Sequence, residues 1–104
     1  MPMPGDPARH GDDLVSFFES RLEMARRARE RLIMAAPERS HLRRVAEDIL
    51  GMIDAYLSDA RHLANGGDLP RAIEAVSYAY GWIDAAVRIG LLDGGDEDMF
   101  TLAS

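Results

Sequence analysis

Apolar residues recur at a helical period through the middle of the chain. They are Leu42, Val45, Ile49, Met52, Ile53, Tyr56, Ala60 and Leu63. Steps of three and four residues place them on one face of a helix of about six turns. Pro37 and Glu38 suit a first turn, and Asn65 or Gly66 can take the left-handed conformation that ends a helix. We therefore expect a helix over 38–65 that buries this face against other helices.

Amphipathic patterns flank this segment on both sides. On the N-terminal side the pattern predicts a helix over 13–36, capped by Asp12 or Asp13. On the C-terminal side it predicts a helix over 69–91, capped by Asp68. Short connections make consecutive helices antiparallel neighbours. The expected fold is therefore all-α, an antiparallel up-down-up three-helix bundle over 12–92, and no strand pattern competes.

The two ends of the chain lack this periodicity. Residues 1–11 hold three prolines and two glycines, and we expect them to form a flexible lead-in. Residues 93–104 are expected to form an acidic turn and a short tail. Apolar side chains of this tail are expected to fold back onto the bundle, namely Met99, Phe100 and Leu102.

Composition narrows the function classes. With no cysteines, the chain has no disulfide, thiolate zinc site or cysteine nucleophile, which fits a reducing cytoplasm. Its 18 acidic and 12 basic residues give a net charge of −6, which disfavours non-specific nucleic-acid binding. The N-terminus has no apolar signal segment, and no run approaches the roughly 18 apolar residues of a membrane span. We expect a cytoplasmic protein that does not bind membranes.

The helix predicted over 69–91 is apolar on more than one face. A helix of this kind contacts more than one neighbour. We expect it to pack between the other two helices and to present Tyr78, Trp82 and Ile89 to a protein partner or to a second copy of the chain. No phosphate-binding loop, dinucleotide motif or catalytic triad is present, so the expected protein is a non-enzymatic interaction module without a cofactor.

Two glycines interrupt otherwise regular helices. Gly51 and Gly81 each cost about 1 kcal/mol relative to alanine in a helix interior. A close helix crossing would offset this cost, with Trp82 filling the space beside it. We therefore expect both glycines to lie at helix–helix contacts.

Seven arginines lie around the first connection, between residues 26 and 44. An alternative function is binding of a nucleic acid or a phosphate ligand by this cluster. Glutamates alternate with these arginines and no aromatic residue accompanies them, so a solvated, neutralised face is the favoured interpretation. The arginines are Arg26, Arg27, Arg29, Arg31, Arg39, Arg43 and Arg44.

A second alternative is a metal site. Asp59 and His62 are three residues apart on one helical face, a spacing also found in di-iron bundles. Asp84 is a further possible ligand. These bundles need four helices and more carboxylates, so the ordinary interpretation is favoured, in which Asp84 pairs with Arg88 four residues later.

One long segment resembles a known family. In residues 56–93 a tyrosine and an Asp-Ala pair precede a Gly-Asp turn, an alanine-rich helix and a Tyr-Ala-x-Gly-Trp-x-Asp-Ala motif. This pattern resembles the archaeal domain-of-unknown-function family 357. The resemblance implies an archaeal three-helix bundle with no assigned activity, and it leaves open the roles of the motif residues. Those residues include Tyr56, Asp59, Asp68, Gly81 and Asp84.

Overall fold

The computed structural model describes residues 7–95, with side chains from residue 12 onward. It confirms the all-α bundle. Helix α1 spans Pro7–Glu30, α2 spans His41–Asn65 and α3 spans Leu69–Ile89. Two short strands, β1 (Ile33–Met34) and β2 (Leu92–Asp93), add a small antiparallel sheet that the sequence pattern did not predict.

The first helix differs most from its predicted bounds. It begins at Pro7, so Asp12 and Asp13 lie inside the helix and are not its cap. It ends at Glu30, six residues before the expected end at Ala36. The residues that follow leave the helix because they pair with the chain beyond α3, which no local pattern reveals.

The start of α2 also differs. Pro37 precedes the helix, and Ser40 is the N-cap. The Ser40 side chain accepts a hydrogen bond from the backbone N–H of Arg43 at 3.1 Å, and the Arg43 guanidinium donates to the carbonyl of Ala36 at 3.1 Å. The connection from α1 to α2 is therefore held by its own hydrogen bonds.

Two helices end in the same left-handed turn. After α2 the left-handed residue is Gly67, with φ of 89°, and neither Asn65 nor Gly66 takes this conformation. The N–H of Asp68 donates to the carbonyl of Leu63 at 2.9 Å. Gly90, with φ of 91°, is the corresponding left-handed residue after α3. The N–H of Leu91 donates to the carbonyl of Ala86 at 3.0 Å. Both are Schellman motifs.

Asp68 has two structural roles. Its backbone closes the end of α2, and its side chain caps α3 by accepting from the N–H of Arg71 at 3.2 Å. The predicted cap is confirmed. Because one residue ends one helix and starts the next, the connection between α2 and α3 is short and these helices are antiparallel neighbours.

The core lies where α3 packs against both α1 and α2. Its largest fully buried side chains are Phe18, Leu22, Ile53, Ile83 and Leu92. Seven alanines are entirely buried and allow close approach of the helices: Ala25, Ala28, Ala46, Ala60, Ala72, Ala79 and Ala86. The predicted apolar face of α2 is not covered at its start, since Leu42 is 50% exposed.

The expected helix crossings at Gly51 and Gly81 are not found. A Cβ atom built on either glycine meets no atom within 4 Å, and both residues are exposed. The prediction was wrong because alanines already give the helices room to approach, so the glycines face outward.

The sheet closes one end of the bundle. Ile33 pairs with Asp93 and Met34 with Leu92. The N–H groups of Ala35 and Ala36 both donate to the carbonyl of Leu91 at 3.1 Å. The segment after α3 is thereby tied to the connection between α1 and α2.

Beyond the sheet, the N–H of Gly95 donates to Oδ1 of Asp93 at 2.8 Å, which makes a turn at the start of the predicted acidic segment. The rest of that segment and the expected tail lie outside the described residues, as do residues 1–6 of the expected lead-in. No helix within 7–95 is both long enough and apolar enough to cross a bilayer.

Candidate interaction surface

The exposed side of α3 carries large apolar side chains. Tyr78, Trp82 and Ile89 are 58%, 38% and 70% exposed. Their spacing of four and seven residues puts them on one side of the helix. We call these three residues the outer face of α3. These are the three residues that the sequence predicted for an interaction with a partner.

A shallow recess lies within this side of α3. It has a volume of about 240 Å³ and is lined by Ser77, Tyr78, Gly81, Trp82 and Ala85. Ser77, Gly81 and Ala85 follow one another at four-residue intervals, and the two aromatic side chains flank them. Because Gly81 has no side chain, backbone forms the floor of the recess. We call these five residues the α3 recess.

Tyr78 is held in place by a neighbouring helix. Its ring stacks on that of Tyr56 of α2, with centroids 5.6 Å apart and 27° between the planes. Tyr56 is half-buried and packs against the core. One residue of the family motif therefore supports another across the contact between α2 and α3.

Charged residues lie along α3 on both sides of the recess. The Nε of Arg88 donates to both carboxylate oxygens of Asp84 at 3.0 Å, as the spacing predicted. Arg71 lies 3.5 Å from the Asp68 carboxylate. Glu74 is exposed and forms no ion pair within residues 12–95. The surroundings of the recess therefore include both signs of charge.

A larger groove runs between α1 and α3. It has a volume of about 470 Å³, and its lining includes Phe17, Arg21 and Tyr80 together with Ser77 and Gly81, which also line the α3 recess. The Arg21 guanidinium carbon lies 5.0 Å from the centroid of the Phe17 ring, a cation–π distance. Burial raises the pKa of Tyr80, and the negative charge of Asp84 raises it further, whereas Arg21 opposes the shift.

Ion pairs connect α1 to α2 on the opposite side of the bundle. The two terminal nitrogens of Arg61 donate to the two carboxylate oxygens of Glu19, each at 2.8 Å. These hydrogen bonds lower the pKa of Glu19 and raise that of Arg61, although desolvation opposes both shifts. Arg29 makes a similar pair with Asp54, at 2.7 and 3.0 Å. These carboxylates serve to connect helices.

The arginine cluster is partly neutralised by such pairs. Besides Arg29, Arg27 lies 2.9 Å from Glu23 and Arg43 lies 3.7 Å from Glu47. Within the part of this cluster that the structure describes, three exposed arginines form no ion pair: Arg26, Arg39 and Arg44. The pairing favours a solvated, internally neutralised face over a phosphate-binding patch.

The predicted metal ligands are not brought together. Asp59 and His62 are exposed on α2, while Asp84 on α3 is bound by Arg88. Among the residues that the structure describes, no group of three or more potential ligands is placed to hold a metal ion. Residues 12–95 therefore provide no site for the alternative function, a metal-binding bundle.

Several residues around the recess were not predicted as functional from the sequence. Ser77 and Ala85 flank Gly81 at four residues on either side, and Glu74 and Arg88 lie seven residues away. The sequence did indicate this surface, because these residues form a second regularly spaced set along α3. It was missed because Gly81 was assigned to a helix crossing inside the bundle.

Comparison with known proteins gives one finding about family. A search of curated proteins and a search of solved structures each found no match to the chain. The profile of one family, described as "Protein of unknown function (DUF357)", matches residues 22–92. The match spans most of the bundle, from the middle of α1 to β2, and includes the α3 recess. The chain therefore belongs to the DUF357 family.

Proposed function

We propose that this protein is a protein-interaction module that binds a protein surface through the outer face and the recess of α3. The observation that carries the proposal is the exposed recess itself, where Tyr78 and Trp82 flank the bare backbone of Gly81. Aromatic side chains beside a concave apolar surface are typical of the energetic centres of protein interfaces.

Gly81 supports the proposal because the isolated chain gains nothing from it. Glycine in a helix interior costs about 1 kcal/mol relative to alanine. An added Cβ at Gly81 meets no atom within 4 Å, so packing inside the bundle does not require glycine. A partner that approaches the backbone of α3 closely would require it.

The stack of Tyr56 on Tyr78 also favours binding. A side chain that is already positioned loses less conformational entropy when a partner binds it.

The proposal includes a non-enzymatic role in the cytoplasm of an archaeal cell. The absence of cysteine fits a reducing compartment.

The test is photo-crosslinking from two exposed positions in cells that make the protein. A photoreactive phenylalanine analogue replaces Tyr78 in one variant and Ile33 in a control. Ile33 is a suitable control because its side chain is also exposed, at 62%, but it lies in β1 and lines neither the recess nor the groove between α1 and α3. Discrete crosslinked products are expected from position 78 and not from position 33.

Trp82→Ala provides the second readout. It is expected to reduce crosslinking from position 78, because it removes one wall of the recess, whereas Leu42→Ala on α2 is expected to leave it unchanged. The proposal is contradicted if the analogue at position 78 gives no crosslinked product, or gives the same products as the analogue at position 33.

A further inference from the structure

We infer that the partner bound by the α3 recess is a second copy of this chain, packed antiparallel with a two-fold axis through Gly81. This inference rests on the proposed function and specifies its partner. Four features carry it: the line of residues along α3, the order of charges on that line, the small residues near its centre and the local charge balance.

One line of exposed or half-buried residues runs along α3. Its members are Glu74, Tyr78, Gly81, Ala85 and Arg88. Steps of four and three residues keep a line on one side of a helix, which is also the pattern by which two helices pack along a shared seam. Within the bundle, α1 and α2 pack against the alanine-rich side of α3. Tyr78 stacks on Tyr56 at the edge of the line, and the rest of the line stays exposed or half-buried.

The order of charges on this line is self-complementary. Glu74 lies seven residues before Gly81, and Arg88 lies seven residues after it. Each is therefore about 10 Å from the glycine along the helix axis. When two antiparallel helices cross at Gly81, the Glu74 carboxylate of each copy lies level with the Arg88 guanidinium of the other.

Two other arrangements of the same two helices oppose like charges. A parallel pair places each Glu74 beside the other Glu74 and each Arg88 beside the other Arg88. An antiparallel pair shifted so that Tyr78 faces Gly81 places Arg71 beside Arg88. Juxtaposed like charges disfavour an interface strongly, so the charges favour the antiparallel pair centred on Gly81 over both of these.

Glu74 and Arg88 are both available for these contacts between copies. Glu74 has no ion pair within residues 12–95. Arg88 contacts Asp84 through Nε alone, which leaves its two terminal nitrogens to donate to a carboxylate of the other copy. The pair with Asp84 holds the guanidinium in place for that contact.

The small residues fit the same axis. Ser77 and Ala85 lie four residues on either side of Gly81, so the axis brings Ser77 of each copy level with Ala85 of the other. Neither has a side chain that keeps the helices apart. Tyr78 of each copy then lies over Ala85 of the other, and Trp82 covers the edge of the contact.

The net charge of the chain opposes this contact only weakly near the line. The whole chain carries −6, which repels a second copy at long range. Around the line, the carboxylates of Glu74, Asp68 and Asp84 are nearly balanced by the guanidinium groups of Arg71 and Arg88. The outer side of α3 is thus a place where two acidic chains can meet with little local repulsion.

The experiment is sedimentation equilibrium of the purified full chain and its variants. The wild type is expected to be a dimer. Gly81→Gln is expected to weaken the dimer at least about tenfold, because its side chain fills the centre of the contact. Gly51→Gln is the matched control, since Gly51 is also an exposed helical glycine with open space at its Cβ, and it is expected to leave the dimer unchanged.

Charge reversal tests the arrangement. Glu74→Arg and Arg88→Glu are each expected to weaken self-association about tenfold. Both changes in one chain, or an equimolar mixture of the two single variants, are expected to restore association. Arg27→Glu is the control, because it changes an exposed ion pair within α1, and it is expected to leave self-association unchanged. Circular dichroism of every variant checks that the helices remain folded.

The outcomes separate this inference from the proposed function. A monomeric wild type overturns the dimer, as does a dimer that is insensitive to Gly81→Gln and to charge reversal. If position 78 still crosslinks to a different protein, the interaction surface stands and only the identity of its partner is wrong. If position 78 gives no product and the chain is monomeric, both proposals fail.

Discussion

The ring of Tyr78 on α3 stacks on the ring of Tyr56 on α2, with centroids 5.6 Å apart. Tyr56 is half-buried against the core, while Tyr78 is exposed on the outer face of α3. The stack thus connects a residue at the contact between α2 and α3 with a residue of the surface proposed for binding. A change at either tyrosine is expected to alter both stability and the position of the other ring.

Replacing the two tyrosines is expected to show energetic coupling between them. Stacked aromatic pairs contribute about 0.5–1.5 kcal/mol beyond their burial, and partial exposure places this pair near the lower value. In a double-mutant cycle of Tyr56→Ala and Tyr78→Ala, urea unfolding of dilute protein should give a coupling of about 0.5 kcal/mol or more. Additive effects of the two substitutions would show that the stack contributes nothing.

Gly81→Ala is expected to stabilise the isolated bundle by up to about 1 kcal/mol, because it restores helix propensity without a clash. Gly51→Ala, on α2, is expected to give a similar gain for the same reason. The free energy of unfolding of dilute protein measures both effects. Destabilisation by Gly81→Ala would mean that α3 needs this glycine for its own packing.

Gly90→Ala is expected to have the opposite effect. Gly90 has φ of 91° and ends α3, and an L-residue in a left-handed conformation costs about 1–2 kcal/mol. The melting temperature of Gly90→Ala should therefore fall, while that of Gly81→Ala should rise. Equal shifts in one direction would contradict the distinction between a glycine that ends a helix and one exposed within it.

Acid is expected to weaken the contact between α1 and α2 through Glu19. Hydrogen bonds from Arg61 hold the pKa of Glu19 below its usual value. A carboxyl with a lowered folded-state pKa contributes stability that is complete above the unfolded-state pKa and is lost as pH falls through the folded-state value. Arg61→Gln should therefore be less stable than the wild type near neutral pH, with the difference shrinking below about pH 4.

Chemical denaturation across this pH range measures that difference. Arg44→Gln is the control, because Arg44 is exposed and forms no ion pair within residues 12–95, and its stability should follow that of the wild type at each pH. A difference between Arg61→Gln and the wild type that stays constant with pH would count against the contribution of Glu19.

Leu92→Ala is expected to destabilise the bundle by about 2–4 kcal/mol, because it empties space around a buried side chain. Leu92 lies in β2 and is 1% exposed. Ile33→Ala in β1 is the control, and its cost should stay within about 0.5 kcal/mol since Ile33 is 62% exposed. Similar costs for the two substitutions, measured by thermal unfolding, would argue against the packing of β2 on the core.

The sequence by itself determined the number of helices, their order and the bounds at the connection between α2 and α3. The apolar period of α2 and the Asp68 cap of α3 arise from neighbouring residues, so they are visible in the chain. The pair between Asp84 and Arg88 was predictable for the same reason, because one helical turn brings the two side chains together. The family motif identified the segment that contains the outer face of α3.

Tertiary structure alone decided where α1 ends and which way the glycines face. Residues 33–34 leave the helical pattern because they pair with residues 92–93, and such distant pairing leaves no local signal. Gly81 faces solvent because alanines on the opposite side of α3 occupy the helix contacts. Periodicity describes the faces of one helix, but only the packing of all three decides which face remains exposed.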